Sequence, residues 1–395
     1  MRIHVISPWY PRPATAPYSG VFVKKQVDAL ARLGHEVTVE VPEIFPAPAG
    51  DIPSVVYESM EALARRSIEA VYPRIGNAFM VPTPVPSRSS ALGRGRAMAS
   101  SIELHRRLEP IGSDITHAHL GLPTGWAALE VADGRPVVVT EHQSTLDSVL
   151  ADAESRDGYA RVINDASVFL CVSPSLRDQL IRTLGAWVEE RVSVLSNIVD
   201  LGHITFSKRD TPLFRDWVYV GGLFAHKGVE SLLRTFAMYR QRYDRAATLT
   251  IVGDGPMRSW ARAFSVAKGM NQAVHLVGAV DHTRVGPYLA SADVMVHLSP
   301  SETFGIASLE AIGAGLPVVS LRNGGADSAW GDYESVCGLL LDPSKTNAQI
   351  ARAIADLRES PGQLDPEKGR RMVEERFSPE TIASRLLGYY SVALR

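Results

Sequence analysis

Two apolar patterns alternate along this chain. Short continuous runs rich in Val, Ile and Leu read as strands buried on both faces, as in parallel sheets. Between them apolar residues recur at helical spacing. Ile3 to Ser7 opens the series. Val23, Val27, Leu30 and Ala31 then share one helical face, Gly34 stops that helix, and Val37, Val39 and Val41 alternate along a second strand. This is a βαβ unit, and the loop ending its first strand faces the ligand crevice of a doubly wound sheet. Asp114 to His119, Pro136 to His142, Val168 to Ser173 and Val192 to Leu195 read as further strands, with helices at Gly125 to Val131 and Pro174 to Thr183.

The alternation weakens from Pro42 to about Ala99. Prolines crowd at Pro42, Pro46, Pro48 and Pro53, and again at Pro82, Pro84 and Pro86, with a candidate helix from Tyr57 to Val71. After a linker between about Leu201 and Arg215 the pattern restarts. Strands are expected at Trp217 to Val220, Ala247 to Gly253, Val274 to Gly278, Val294 to Leu298 and Gly338 to Leu341. Helices are expected from Gly228 onward, with Val229, Leu232, Leu233 and Phe236 on one face, and at Met257 to Lys268, Gly305 to Ile312, Asn347 to Leu357 and Pro379 to Leu394. The fold class is therefore α/β, with two Rossmann-like halves. G-x-G-x-x-G is absent from the first βαβ turn, so that turn lacks the dinucleotide fingerprint.

Composition narrows the classes. A length of 395 residues suggests two or three domains, each able to bury a core. Apolar content of 45% and charged content of 21% fit a soluble globular protein. A net charge of −2 gives no reason to expect nucleic acid as a partner. Cys171 and Cys337 lie in apolar runs and read as small core residues. The first residues lack a signal-peptide pattern and no window is long enough for a bilayer span, so a cytoplasmic location is expected. Arg65, Arg66, Arg74, Arg88, Arg94, Arg96, Arg106 and Arg107 outnumber nearby acids. A solvated surface is the preferred reading of region 65–107. The competing one is peripheral contact with anionic lipid at the inner membrane face.

The most informative stretch follows the run Val294 to Leu298. Glu302 falls in a strand-to-helix loop, and Glu310 lies eight residues on, in the helix. Peptide N–H groups at Phe304, Gly305 and Ile306 would be free at the helix start, a ready site for a diphosphate. A carboxylate on either side of such a site is suited to hydroxyls.

This arrangement resembles the Glu-x7-Glu element of retaining glycosyltransferases of family 4, with the GT-B fold. The resemblance implies two Rossmann-like doubly wound domains facing across a cleft. Residues 1–205 would form the acceptor-side domain, 206–377 the nucleotide-sugar domain, and 378–395 a helix crossing back to the first. It implies that Glu302 contacts the transferred sugar, that Glu310 binds ribose, and that backbone at Thr303, Phe304, Gly305 and Ile306 binds phosphate. Tyr18-Ser19-Gly20 is similar to the family's N-terminal glycine loop, with Gly20 against donor phosphate and Tyr18 near the acceptor. His117-Ala118-His119 resembles the family's His-x-His, whose second member approaches the transferred sugar. Glu141 and His142, at a strand tip, become acceptor-pocket candidates. Lys227 matches the family's phosphate lysine, and Val280 lies in the loop that holds the base. The family's arginine is missing, because its position is Gly222; Arg258 and His226 are candidate substitutes. Catalysis would rest on His119, Lys227 and Glu302.

Without Asp-x-Asp, no metal and no cofactor are expected. The partners implied are a uridine or guanosine diphosphate sugar and a small-molecule, glycan or lipid-linked acceptor. The alternatives are an epimerase or phosphorylase on the same fold, or a sugar-nucleotide-binding protein that has lost activity.

Overall fold

A computed structural model describes residues 1–12, 18–47, 60–62, 64–207 and 213–395. The chain divides into two compact units, Met1–Ser196 with Ile382–Arg395, and Asn197–Thr381.

The first unit is built on an eight-stranded sheet. Its strands are β1 (Arg2–Ile6), β2 (Glu36–Ala47), β3 (Arg74–Ile75), β4 (Ala78–Pro86), β5 (Ile115–His119), β6 (Val137–Glu141), β7 (Val168–Cys171) and β8 (Val192–Val194). They lie in the order β3-β4-β2-β1-β5-β6-β7-β8. Only the β3–β4 pair is antiparallel. Strand order reverses between β1 and β5, so the loops after these two strands flank a topological switch point. The buried apolar residues expected for a covered parallel sheet are present at Ile3, Val5, Val39, Ile115, Val138, Val139 and Phe169.

The proline-rich region holds an element that the sequence pattern conceals. β4 pairs with β2 along its whole length, from Val39↔Ala78 to Ala47↔Pro86. Pro82, Pro84 and Pro86 recur every second residue, so their missing N–H groups all point to one edge. Among the described residues the antiparallel partner β3 covers only Ala78 and Phe79, and no other strand pairs with that edge. Proline is tolerated at an unpaired edge. The helix Ala91–Leu108 also lies where the pattern was weak; Ser90 caps it, its hydroxyl accepting from Gly93 N–H. Pro48, Pro53 and the start of the expected Tyr57–Val71 helix lie outside the described residues; Ile68–Val71 forms a single turn.

The second unit carries β9 (Asp216–Val220), β10 (Thr248–Val252), β11 (Val274–Gly278), β12 (Val294–His297), β13 (Val318–Leu321) and β14 (Gly338–Leu341). All pairs are parallel, in the order β11-β10-β9-β12-β13-β14. Counted within the unit this is 3-2-1-4-5-6, the dinucleotide-binding order, with its switch point between β9 and β12. Trp217 on β9 packs against Phe236 and Tyr239 of the helix Val229–Arg242, with ring centroids 5.2 and 4.8 Å away.

The division falls nine residues before the expected boundary at 205. Residues 197–205 belong with the second unit because they pack there. Val199 N–H donates to Phe377 O, the Leu201 side chain lies against Gly313, and the His203 carbonyl lies against Gly286. Residues 208–212 of the expected linker lie outside the described residues. The last helix, Pro379–Ala393, supplies the first unit with Ile382 onward, and Tyr390 donates or accepts at His117 Nδ1 over 2.7 Å. Among the described residues no helix is long and apolar enough to cross a membrane.

Candidate active site

In the second unit the expected residues gather at the switch point. β9 ends in Gly221-Gly222, and a short turn, Ala225–Lys227, leads to the helix Val229–Arg242. Gly228, at φ +70°, permits this path: a Cβ there would stand 1.9 Å from the Leu298 carbonyl oxygen. The loop after β9 is thus pressed onto the end of β12, and Lys227 Nζ meets Glu302 Oε1 at 2.8 Å. The two side chains are 22% and 12% exposed, so the pair is partly desolvated. His297 Nε2 lies 3.7 Å from the same oxygen. Burial lowers the His297 pKa, against the pull of Glu302, so the imidazole is neutral at neutral pH. Its ring stacks on Tyr219, whose hydroxyl donates to Gly222 O.

The loop that bears Glu302 is pinned from β13. Glu302 N–H donates to Asn323 O, and Asn323 Nδ2 donates to Ser299 O. Gly325 lies so close that a Cβ would come within 2.9 Å of both Glu302 Cβ and Phe304 N. Asn323 and Gly325 are therefore positioning residues. The run Asn323-Gly324-Gly325 was their only trace in the sequence. The helix Ile306–Gly313 then starts from Gly305, at φ +86°, with no side-chain cap on its first N–H groups. Thr303 and Ile306 are half-buried beside it. The Phe304 ring is core, packed edge-on against Phe377, so only its backbone can serve a ligand.

Glu310 is buried, and His282 Nε2 lies 2.6 Å from its Oε1. His282 opens the turn after Val280 and Asp281, where the Asp281 carboxylate accepts from Thr283 N–H. The His282–Glu310 bond brings the expected base loop, with half-buried Val280, beside the expected ribose carboxylate. Sequence reading missed His282. It also missed His203, whose ring stands 4.5 Å from that of His282, edge to face. Ligand atoms of His203, His282 and Glu310 lie within 4.8 Å of one another, the one such metal-capable cluster among the described residues.

Neither proposed substitute clearly fills the space at Gly222. Arg258 donates to Leu276 O at 3.1 Å and stands against Gly278. His226 stacks on the exposed ring of Phe224, and that ring lies 2.8 Å from where a Cβ on Gly222 would be.

In the first unit, Gly20 and His119 flank the other switch point. Gly20 begins the helix Val21–Arg32 at φ +64°, and a Cβ would lie 2.2 Å from the Trp9 carbonyl oxygen. The glycine is thus required for the loop after β1 to fold over the helix start. Tyr18 is 57% exposed beside it. His119 ends β5, fully buried, with Nδ1 2.9 Å from His142 Nε2. Burial, with His117 and His142 nearby, pushes the His119 pKa well down, so its ring is neutral at neutral pH. Phe22 packs on His142, with centroids 4.6 Å apart.

The buried carboxylate of Glu141 accepts from Gly121 N, His142 N, Gln143 N and the Tyr159 hydroxyl. Burial still raises its pKa against these bonds. Four donors occupy its lone pairs and fix the carboxylate in place. What it holds is the turn at Leu120, a non-glycine residue at φ +83° directly after His119. Backbone in that region costs about 1–3 kcal/mol and persists where neighbours enforce it.

The basic residues of 65–107 are largely paired within the unit. Arg65 bonds Glu61, Arg96 bonds Glu154, Arg107 bonds Glu103, Arg106 reaches Glu40, and Arg74 lies over Phe79. That favours the solvated-surface reading.

Two units of this topology, with carboxylates and a lysine at the second switch point, define the class. Residues 19–203 match Glycosyltransferase Family 4, and residues 212–376 match Glycosyl transferases group 1. The chain is 27% identical to a glycogen synthase of Mycobacterium tuberculosis, over all of this chain and 95% of that one. It superposes on sucrose-phosphate synthase from Thermosynechococcus elongatus with a TM-score of 0.74 at 19% identity, covering 99% of this chain and 98% of the other. Anabaena Alr3699/HepE, in complex with UDP and glucose, gives 0.68 at 17%, covering 99% and 100%. The chain belongs to the family 4 glycosyltransferases and has the GT-B fold.

Proposed function

We propose that this glycosyltransferase moves a hexosyl group from a nucleoside-diphosphate sugar to a hydroxyl acceptor with retention of configuration and without a metal. The observation that carries the reading is the second switch point. There Lys227 and Glu302 pair at 2.8 Å, a free helix N-terminus follows, and buried Glu310 stands beyond it. Lys227 and the N–H groups from Thr303 to Ile306 would neutralise the diphosphate, Glu302 would hold sugar hydroxyls, and Glu310 the ribose. The glycosidic bond breaks toward an oxocarbenium-like state, and charge moves onto the departing phosphate. The acceptor oxygen attacks the same face and the departing phosphate oxygen takes its proton, so no side chain forms a covalent bond. His119, with His142 behind it, and Tyr18 beside Gly20 would serve the sugar and the acceptor. We keep the cytoplasm as the compartment for this reaction.

The test is a calorimetric screen of uridine and guanosine diphosphate sugars, then turnover of the best donor in EDTA with the product's anomeric configuration read by NMR. Retained configuration and unchanged rate in chelator are expected. An inverted product, or loss of rate restored by added Mg²⁺, would overturn the mechanism. Interconversion of the donor without any acceptor would replace transfer with epimerisation.

A further inference from the structure

The geometry points to a binding site for a zinc-class divalent cation formed by His203, His282 and Glu310. Each residue comes from a separately fixed segment. Gly286, which opens the helix Gly286–Ser291, lies against the His203 carbonyl, where an added Cβ would stand 2.7 Å from that oxygen. Ile204 N–H closes the same turn onto Leu201 O. His282 sits in a turn capped by Asp281, and Glu310 is within the helix Ile306–Gly313.

Two imidazoles and one carboxylate are the donor set of zinc and its neighbours in the first transition row. Magnesium and calcium prefer all-oxygen surroundings. The donor atoms already lie within 4.8 Å of one another, and His282 Nε2 is 2.6 Å from Glu310 Oε1. Zinc bonds of about 2.1 Å set tetrahedral donors roughly 3.4 Å apart, so the widest separation closes by up to about 1.4 Å and the His282–Glu310 contact opens by somewhat less. Rotation of the half-buried His203 and His282 side chains can supply that. Three protein ligands leave a fourth position open.

The site has a consequence that rests on the proposed function. A cation held by Glu310 would take the charge and the space at the carboxylate that the ribose hydroxyls need. Zinc-class ions should therefore compete with the donor nucleotide, making the cation an inhibitor of a metal-independent enzyme.

The direct test uses Zn²⁺ alone, titrated calorimetrically into the chelator-stripped protein, and Co²⁺ as an absorbance probe. One saturable site is expected, with the visible bands of four- or five-coordinate cobalt. His203→Ala and His282→Ala should each weaken it at least tenfold. His203→Gln, with thermal unfolding measured in EDTA, guards against simple misfolding. Absence of saturable binding, or variants that bind as the parent does, would overturn the site. Zinc lost instead on His119→Ala would move it to the first unit and overturn it too. The second arm titrates nucleoside diphosphate with and without Zn²⁺. If zinc binds at these residues but the nucleotide is unaffected, the cation site stands and the ribose assignment of Glu310 falls.

Discussion

Lys227→Ala offers the sharpest test of the switch-point chemistry. In the free protein the ammonium is bonded to Glu302 at 2.8 Å, with both side chains mostly covered. At an effective dielectric of about 20 the gross attraction is roughly 6 kcal/mol, most of which offsets the desolvation of the two charges. A bound diphosphate offers the lysine a second anion, and a charge-assisted hydrogen bond contributes about 1.5–3 kcal/mol net. Truncation removes that bond and leaves Glu302 unneutralised where phosphate must sit. The loss of nucleoside diphosphate affinity should therefore be at least about tenfold, and up to about a hundredfold. Glu302→Gln should behave in the opposite sense, freeing the lysine, so affinity for the bare nucleoside diphosphate stays level or rises. The double variant should bind better than Lys227→Ala alone, because the repulsive carboxylate is gone. Calorimetry at low and high salt measures all four proteins, and the lysine's effect should shrink with salt. A Lys227→Ala protein that binds within about threefold of the parent would refute the argument, as would equal losses from the two single variants.

Four further outcomes are expected. Glu310→Ala should weaken nucleoside diphosphate binding by about 1.5–3 kcal/mol in calorimetry, since it removes a charged acceptor; equal affinity would end its ribose role. His119→Ala should depress transfer while nucleoside diphosphate affinity, read in the same titration, stays unchanged, because His119 belongs to the other unit. For His117, burial pushes the pKa down to about 3, so the unfolded chain takes up a proton that the fold excludes. Its stabilising contribution is therefore whole above the ordinary value of 6.5 and lost as pH falls from there toward 3; melting temperature should drop over this window, and less steeply in His117→Asn. Gly222→Arg should tighten nucleoside diphosphate binding only when combined with Phe224→Ala, because the Phe224 ring lies 2.8 Å from the Cβ position; tightening by the single variant would show that the ring yields freely.

Strand identity was legible where burial made it so. Parallel strands covered on both faces must be apolar throughout, so Val137–Glu141 and Val294–His297 announce themselves. β4 did not, because a proline-rich strand with an edge that is unpaired among the described residues follows a different rule. The partners of Glu141 were illegible for a related reason. A carboxylate at a strand tip reads as functional from its position, and only the fold reveals Gly121 and Tyr159 as its partners. The pair His203 and His282 had no local signal at all. Its members are far apart in sequence, and the first lies in what reads as a linker.

Strand order explains why residues so far apart act in pairs. A switch point is the one place in a doubly wound sheet where the loops after two adjacent strands turn to opposite faces and leave a crevice. In the second unit those strands are β9 and β12, and their loops carry Lys227 and Glu302. In the first unit they are β1 and β5, followed by Gly20 and ending at His119. No periodicity encodes this order, because strands covered on both faces look alike whichever neighbours they pair with. The sequence resemblance reached the same residues through their motifs, and the topology supplies the physical reason for them. It follows that residues supporting the switch point should matter more than their chemistry suggests. Gly228 and Gly325 carry no functional group, yet a side chain on either would drive β-loop backbone away from Lys227 or Glu302. Their substitution should abolish donor binding without removing a single ligand contact.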